Sequence, residues 1–236
     1  MTFQIGIVGT DGVLLASDML VNQRGISGHT YGDTYSTSKI ADSKGIAYCC
    51  TGDYLTILAA EKVTIEIENR DTDTKQFLQY CGAHVLQQET IRSANMNDWD
   101  KLTGGSVLFA YKTAVHDKEV VELWRLECHA GLVDACRITD KIRIGDNTTP
   151  ACFFSERYYD SYFDCTPRLS VLDLAPLAAH TVLEAAKMNQ RGVRGLEILL
   201  CTPGGFRRMN DDELTMLRER STKLYSQIKE SLFPPQ

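Results

Sequence analysis

The stretch that decides the fold is MTFQIGIVGTDGVLLASDM, residues 1–19, in which two mostly apolar segments flank an Asp-Gly pair. Asp11-Gly12 tolerates the positive φ angles of a tight type I′ turn, and apolar segments on both sides of such a pair are typical of a β-hairpin. The pattern predicts two antiparallel strands in a register that pairs Thr2 with Val21. We expect the first strand to begin directly after Thr2, with no leader or disordered arm before it.

Length and composition indicate an ordinary globular protein. The chain has 236 residues, of which 43% are hydrophobic and 24% charged, and its formal net charge is −6. This acidity argues against nucleic acid as a partner, because nucleic acid usually requires a basic face. The sequence has neither a secretory signal nor an apolar run long enough to span a bilayer, so we expect a cytoplasmic protein without a membrane partner. Because no linker or internal repeat divides the chain, we expect one domain over residues 1–236.

The eight cysteines form no C-x-x-C pair, and most of them lie inside apolar stretches. Reduced cysteines in the core of a cytosolic protein are therefore favoured over disulfides or metal ligands. The five histidines have no partners at metal-ligand spacing, so we expect no metal site.

Beyond the hairpin, the period of the hydrophobic pattern changes several times. Residues 23–38 are polar and glycine-rich, which predicts a loop, and two short strands follow around Asp42–Gly45. Two amphipathic helices are predicted after Asp53, then four strands, a third helix, a buried strand and a C-terminal helix. Paired strands and helices in separate blocks indicate an α+β protein. Packing two antiparallel sheets together with helices outside gives a four-layer αββα sandwich.

Thr2 is the first candidate for catalysis. Methionine aminopeptidases generally remove Met1 when a small residue follows, which would leave Thr2 with a hydroxyl and a free α-amine. An α-amine has a pKa of about 8, so much of it can act as a base at neutral pH beside its own nucleophile. Very many proteins begin Met-Thr, however, and Thr2 alone does not distinguish a catalyst from an ordinary first strand residue.

Two charged residues make Thr2 a stronger candidate. Asp18 ends the apolar run LLASD, and Lys39 in STSKI begins the next strand after the polar loop. A lysine held between Asp18 and Thr2 could pair with the carboxylate and lower the pKa of the hydroxyl. The alternative interpretation is that Asp18 caps a turn and Lys39 is a solvated residue at a strand start.

Gly52 in the segment TGD lies where a buried strand meets the first long helix. A glycine there lets a ligand approach the backbone, and an N–H near a helix N-terminus suits a developing oxyanion. An ordinary strand-to-helix turn would explain the same residue.

The assembled pattern T-x-x-x-G-I-x-x-x-D-G-V-x-L-A-S-D, followed by S-K-I and I-A-x-x-x-T-G-D, resembles the opening of a proteasome-type β subunit. These subunits are N-terminal-nucleophile hydrolases, and the resemblance extends from residue 2 to about residue 60 and in architecture over most of the chain. Because the match begins at Thr2, the sequence is identified as a bacterial proteasome homologue of the HslV branch.

The resemblance implies a role for each matching residue. Thr2 would be the nucleophile, Asp18 and Lys39 would orient and activate it, and the Gly52 N–H would bind the oxyanion. The same resemblance implies that three further residues bind substrate backbone or line the pocket: Asn22, Cys50 and Tyr54.

The resemblance also implies a threonine endopeptidase that works without a cofactor. Its subunits would form homo-oligomeric stacked rings that enclose the active sites, and its substrates would be peptides or unfolded proteins. An ATPase unfoldase is a possible partner at the level of the family.

The sequence departs from the family in three places. The segment between Asp18 and Lys39 is longer than usual, which fits either substrate recognition or a tolerated insertion. Asp146 stands where the family has a serine, and its carboxylate could raise the pKa of the α-ammonium and tune the base. The family's D-x-x-S-G motif is not legible in NQRGVRG. Two other functions therefore remain open: a small-molecule amidase of the same fold, and a non-catalytic ring subunit.

Overall fold

The computed structural model describes residues 2–24, 30–52, 54–68, 76–81, 105–129, 132–145, 169–189 and 193–232. The strands in this part of the chain are β1 (Phe3–Gly9), β2 (Gly12–Ser17), β3 (Leu20–Arg24), β4 (Thr30–Ser36), β5 (Ile40–Ser43), β6 (Ile46–Thr51), β7 (Gly105–Val115), β8 (Lys118–His129), β9 (Leu132–Ile138), β10 (Lys141–Gly145), β11 (Glu197–Thr202) and β12 (Gly205–Arg208). The helices are α1 (Tyr54–Glu68), α2 (76–81), α3 (Val171–Met188) and α4 (Asp211–Leu232). None of these described helices is both long and apolar enough to cross a membrane.

Most of the strands form two antiparallel sheets of five strands each. The first sheet has the strand order β10-β1-β2-β11-β12, and the second has the order β5-β6-β7-β8-β9. Every pairing in both sheets is antiparallel. The N-terminal hairpin β1–β2 therefore lies inside the first sheet, between β10 and β11.

Alternate side chains of the hairpin face two different cores. Phe3 and Ile7 are fully buried with residues of α3 and α4 on the outer face of the first sheet. Leu15 faces the other way and packs with Leu123 of β8 between the two sheets. The far side of the second sheet packs against α1 and α2. The layers thus follow the order helices, sheet, sheet, helices, which confirms the predicted α+β four-layer αββα sandwich.

The predicted hairpin is present, but its predicted register is wrong. β1 and β2 are joined by the two residues Thr10 and Asp11, and the pairing of Thr2 with Val21 does not occur. The true register is offset by two residues, which leaves every side chain on its expected face because side chains alternate with a period of two. The offset brings Asp18 opposite Phe3, where the Asp18 N–H donates to the Phe3 carbonyl oxygen at 3.1 Å.

Gly12 explains the difference in register. It lies in β2 opposite Gly9 and is not part of the turn. A Cβ at Gly12 would lie 2.1 Å from the carbonyl oxygen of Cys201 on β11. The close approach of β11 therefore requires a glycine at this position. The same glycine, next to Asp11, is interpreted from the sequence as part of the turn.

The predicted loop over residues 23–38 is also partly wrong. β3 and β4 pair as a separate two-stranded antiparallel sheet, with Val21 opposite Tyr35. Residues 25–29 lie outside the described part of the chain. Threonine and tyrosine favour extended backbone, so TYGDTYS can form a strand although it lacks apolar alternation.

The other predicted elements agree with the structure where it describes them. The strands β5 to β11 and the helices α1, α3 and α4 lie within a few residues of their predicted positions. Only residues 76–81 of the second predicted helix are described, and they are helical. Cys49, Cys81 and Cys201 are buried, as predicted for core cysteines, whereas Cys136 is exposed.

Candidate active site

Asp18 lies just beyond the C-terminal end of β2, and its side chain is completely buried. Its two carboxylate oxygens accept hydrogen bonds from the backbone N–H groups of Phe3, at 2.9 Å, and Leu20, at 3.1 Å. These bonds fix the carboxylate beside the first residues of β1. They also supply part of the compensation that a buried charge requires.

Lys39 lies directly before β5 and connects Asp18 to Thr2. Its Nζ donates to both Asp18 carboxylate oxygens at 2.9 Å and to the Thr2 Oγ1 at 3.2 Å. The side chains of Lys39 and Asp18 are 9% and 0% exposed, so the ion pair is largely shielded from water. The structure thus brings together the three residues that the sequence analysis named as catalytic.

The backbone of Thr2 is held by the neighbouring strand β10. Phe3 pairs with Gly145, the last residue of that strand. Gly145 has a φ of 101°, and a Cβ on it would lie 1.9 Å from the Thr2 carbonyl oxygen. Only glycine fits both the backbone conformation and this contact.

A second buried carboxylate, which the sequence analysis did not single out, lies beside Lys39. Glu197 is 4% exposed and accepts hydrogen bonds from the backbone N–H groups of Lys39 and Ile40. Its other partners are the Ser38 hydroxyl and the Arg208 guanidinium. The available signal was a single charge in the otherwise apolar stretch LEILLCT, the same kind of signal that identified Asp18.

Burial and pairing act in opposite directions on Glu197. Burial raises the pKa of its carboxyl above the ordinary value, while the hydrogen bonds from Ser38, Lys39 and Ile40 and the charge of Arg208 lower it, with a net shift upward. Arg208 also donates to the Ile40 carbonyl and the Asp42 carboxylate, at 2.8 Å each. The cluster therefore joins β11 and β12 of the first sheet to β5 of the second.

Gly52 lies between the end of β6 and the start of α1, and its φ is 122°, a conformation that favours glycine. Asn22 lies on β3 opposite Thr34, and Tyr54 is the first residue of α1. The structure describes only the backbone of these last two residues. Asp146 lies outside the described residues.

Cys50 is half-buried near the end of β6, and it interacts electrostatically with Lys39. Burial raises the pKa of its thiol to about 12, with a further contribution from the charge of Glu61, while Lys39 acts in the opposite direction. The buried neighbour Cys49 also has a raised pKa, for which burial is the largest cause. Both thiols are protonated at neutral pH, so neither is a ready nucleophile.

The donor set suits acyl transfer more than metal chemistry. Among the described residues, no group of three or more His, Cys, Asp or Glu side chains is arranged to hold a metal ion. A hydroxyl beside a buried ammonium and a buried carboxylate is instead an arrangement that can stabilise an alkoxide.

Comparison with known proteins identifies the fold. No protein-family model matches the sequence, and no curated protein matches it. Among solved structures, a Gly-1 mutant of Anbu from Hyphomicrobium sp. strain MC1 matches with a TM-score of 0.67 at 10% identity, over 100% of this chain and 98% of that chain. Anbu from Yersinia bercovieri, described as an ancestral beta-subunit, matches with a TM-score of 0.66 at 11% identity, over 99% and 98% of the two chains. Another Anbu structure from the Hyphomicrobium strain matches with a TM-score of 0.67 at 10% identity and the same coverage.

These matches correct one prediction. The assignment to the HslV branch is wrong, because the similar structures are Anbu proteins, which form a distinct branch. At 10–11% identity the likeness shows the fold alone. The chain shares the four-layer αββα fold of these Anbu structures.

Proposed function

We propose that this chain is a threonine-type peptidase whose nucleophile is Thr2, exposed as the N-terminal residue by removal of Met1. One observation carries the proposal: the Lys39 Nζ lies 3.2 Å from the Thr2 Oγ1 and 2.9 Å from both oxygens of Asp18. If the Lys39–Asp18 ion pair were only structural, its ammonium would need no contact with a hydroxyl. Here the hydroxyl belongs to the residue whose α-amine can serve as its base.

The reaction is an acyl transfer in two steps. The Thr2 α-amine, directly or through a water, accepts the hydroxyl proton while Oγ1 attacks the peptide carbonyl. The Gly52 N–H stabilises the oxyanion, the C–N bond breaks, and the amine product leaves with the proton. Water then attacks the resulting ester and releases the acid, which regenerates Thr2.

Lys39 and Asp18 favour the ionised nucleophile. A cation 3.2 Å from the hydroxyl oxygen lowers the free energy of the alkoxide relative to the alcohol. Asp18, fully buried, holds the ammonium in place and offsets the cost of burying it. No cofactor is needed in this scheme.

Substrate binding is proposed for Asn22, Cys50 and Tyr54. The half-buried Cys50 offers a fairly apolar wall for the side chain that precedes the cleaved bond. Asp146 is proposed to tune the α-amine.

Assembly and location are also part of the proposal. A single domain over residues 1–236 would associate into homo-oligomeric stacked rings in the cytoplasm, with an ATPase unfoldase as a possible partner. The support is the likeness to Anbu, one structure of which is described as an ancestral beta-subunit. Enclosure in a ring is also a physical safeguard, because an unselective peptidase must be kept from folded proteins.

The decisive experiment is mass spectrometry of the intact protein before and after reaction with a peptide epoxyketone. This reagent requires the hydroxyl and the free α-amine of one residue, so one adduct on Thr2 tests both Met1 removal and nucleophilicity. Lys39→Ala should abolish the adduct, whereas the control Lys112→Ala, which removes a partly exposed lysine paired with Glu119, should not. Retention of Met1, or an unmodified Thr2, would contradict the proposal and favour a non-catalytic subunit. A panel of peptides and simple amides would distinguish a peptidase from an amidase.

A further inference from the structure

A buried carboxylate outside the proposed catalytic set holds the backbone that carries Lys39. The Glu197 Oε1 accepts two consecutive backbone hydrogen bonds, from the Lys39 N–H at 2.5 Å and from the Ile40 N–H at 2.9 Å. The Oε2 accepts from the Ser38 hydroxyl at 2.8 Å and from Arg208 at 2.6 Å. One carboxylate therefore holds three successive residues, Ser38 to Ile40, at the start of β5 by hydrogen bonds.

Arg208 completes this arrangement from the adjacent strand. Beside its bond to Glu197, it donates to the Ser38 Oγ at 3.0 Å and to the Ile40 carbonyl at 2.8 Å. Glu197 and Arg208 belong to β11 and β12 of the first sheet, whereas Ser38 to Ile40 lead into β5 of the second. The two sheets are thus joined by side chains at the position where Lys39 leaves the backbone.

We propose that Glu197 is a positioning residue, which fixes the main chain at residues 38–40 so that the Lys39 Nζ reaches both Asp18 and Thr2. A lysine side chain has four rotatable bonds, and its ammonium can be held within 3.2 Å of the hydroxyl only if its Cα is itself fixed. The kinetic consequence rests on the proposed function of Thr2, but the geometric one does not.

Two conservative substitutions separate the effect of the Glu197 hydrogen-bond geometry from the effect of its charge. Glu197→Gln removes the charge but keeps an acceptor oxygen within reach of the Lys39 and Ile40 N–H groups. Glu197→Asp keeps the charge but shortens the side chain by one carbon, so that these two hydrogen bonds are lost. The matched control is Glu122→Asp on β8, because Glu122 is also buried, at 6% exposed, and its carboxylate contacts two side chains, Trp124 at 3.0 Å and Arg137 at 3.2 Å.

The rate of Thr2 modification by the epoxyketone is measured for each variant as a maximal rate and a half-saturating concentration. Displacement of a catalytic group by about 1 Å can cost up to ~100-fold. We expect Glu197→Asp to lower the maximal rate by about 10- to 100-fold without changing the half-saturating concentration. Glu197→Gln should stay within about threefold of the wild type, and Glu122→Asp should react at the wild-type rate.

Several outcomes would overturn the inference. If Glu197→Gln reacted slowly and Glu197→Asp reacted at the wild-type rate, the charge of Glu197 would have an electrostatic role. If both Glu197 variants reacted at the wild-type rate, the position of Lys39 would not depend on Glu197. If the maximal rate fell in both variants and in the control, in proportion to the loss of free energy of unfolding in urea, the effect would be purely structural.

Crystal structures of the two variants keep the inference separate from the proposed function. The distance from the Lys39 Nζ to the Thr2 Oγ1 should lengthen in Glu197→Asp and remain near 3.2 Å in Glu197→Gln. If the wild type is not modified by the epoxyketone, the proposed function fails while this comparison still decides the positioning role. An unchanged Lys39 in both structures would refute it.

Discussion

At the scale of single residues, the position of the proposed nucleophile Thr2 depends on a glycine of the neighbouring strand. Gly145 combines a φ of 101° with a backbone contact, since a Cβ would lie 1.9 Å from the Thr2 carbonyl oxygen. The contact partner is main chain and cannot rotate away as a side chain would. An added methyl group must therefore displace either β10 or Thr2 itself.

Gly145→Ala is expected to destabilise the fold by about 1–3 kcal/mol and to abolish modification of Thr2 by the epoxyketone. The control is Gly205→Ala on β12, where φ is 145° and no atom lies within 4 Å of the new Cβ. That variant carries the backbone strain without the collision, so it should lose some stability and keep the modification. Urea unfolding and intact mass measure the two effects. Full modification of the Gly145→Ala protein would show that Thr2 tolerates the displacement.

Part of this site is predictable from the sequence, and part of it is not, for a physical reason. Asp18 was recognisable because a charge ends an apolar strand, and Lys39 because a long cation could reach it. Glu197 has the same local signature, but its role depends on a backbone N–H pair some 157 residues away. Hydrogen bonds to main chain have no side-chain partner that a sequence could reveal.

At the scale of elements, the outer helix layer contains a titratable contact. His180 of α3 and Ser221 of α4 are hydrogen-bonded, with 2.8 Å between the His180 Nδ1 and the Ser221 Oγ. Burial lowers the pKa of His180; the charge of Glu184 raises it and that of Lys187 lowers it further. The unfolded chain, with a histidine pKa of about 6.5, therefore binds more protons than the folded chain as the pH falls below that value.

The sign of the pH dependence follows from this difference. Where the unfolded state binds more protons, the free energy of unfolding decreases as the pH falls. We expect the wild type to lose stability between about pH 7.5 and about pH 5.5, and His180→Gln to lose less. The control is His116→Asn, since His116 is exposed in the β7–β8 turn and asparagine tolerates its φ of 50°. Urea unfolding at both pH values measures the change, and equal losses in the wild type and His180→Gln would exclude this contact as the cause.

Elements were predictable from sequence where hydrophobic periodicity reflects packing. The helices α3 and α4 and the strands of the second sheet carry apolar residues on the faces that they bury. β4 was missed because TYGDTYS carries no such pattern. The hairpin register was misread because Gly12 serves the approach of β11, a contact between strands far apart in sequence.

At the scale of the whole molecule, Gly6 lies at a point where the two sheets pack closely together. Gly6 of β1 faces β8, and a Cβ there would lie 2.9 Å and 3.0 Å from the two δ-carbons of Leu123 and 3.4 Å from a δ-carbon of Leu108. Both leucines are fully buried between the sheets. Since Thr2, Asp18 and Lys39 come from both sides of this layer, the spacing also affects how far Lys39 must reach.

A double-mutant cycle tests this spacing. Gly6→Ala alone should cost about 1–3 kcal/mol through overpacking, although alanine is ordinarily favoured over glycine in a strand. Leu123→Val alone should cost about 1 kcal/mol, because one buried carbon is lost. The double variant should be more stable than the sum predicts by at least about 0.5 kcal/mol, because valine lacks the δ-carbons that collide with the new methyl group.

The matched control for the cycle pairs Gly6→Ala with Leu174→Val. Leu174 is equally buried but lies in α3, on the opposite face of the first sheet. Its substitution should add to that of Gly6 within about 0.5 kcal/mol. The free energies come from urea unfolding, with equal m-values required for the comparison. If the Leu123 pair were additive too, the collision with Leu123 would not be the cause, and the distance between the sheets would be set by other contacts.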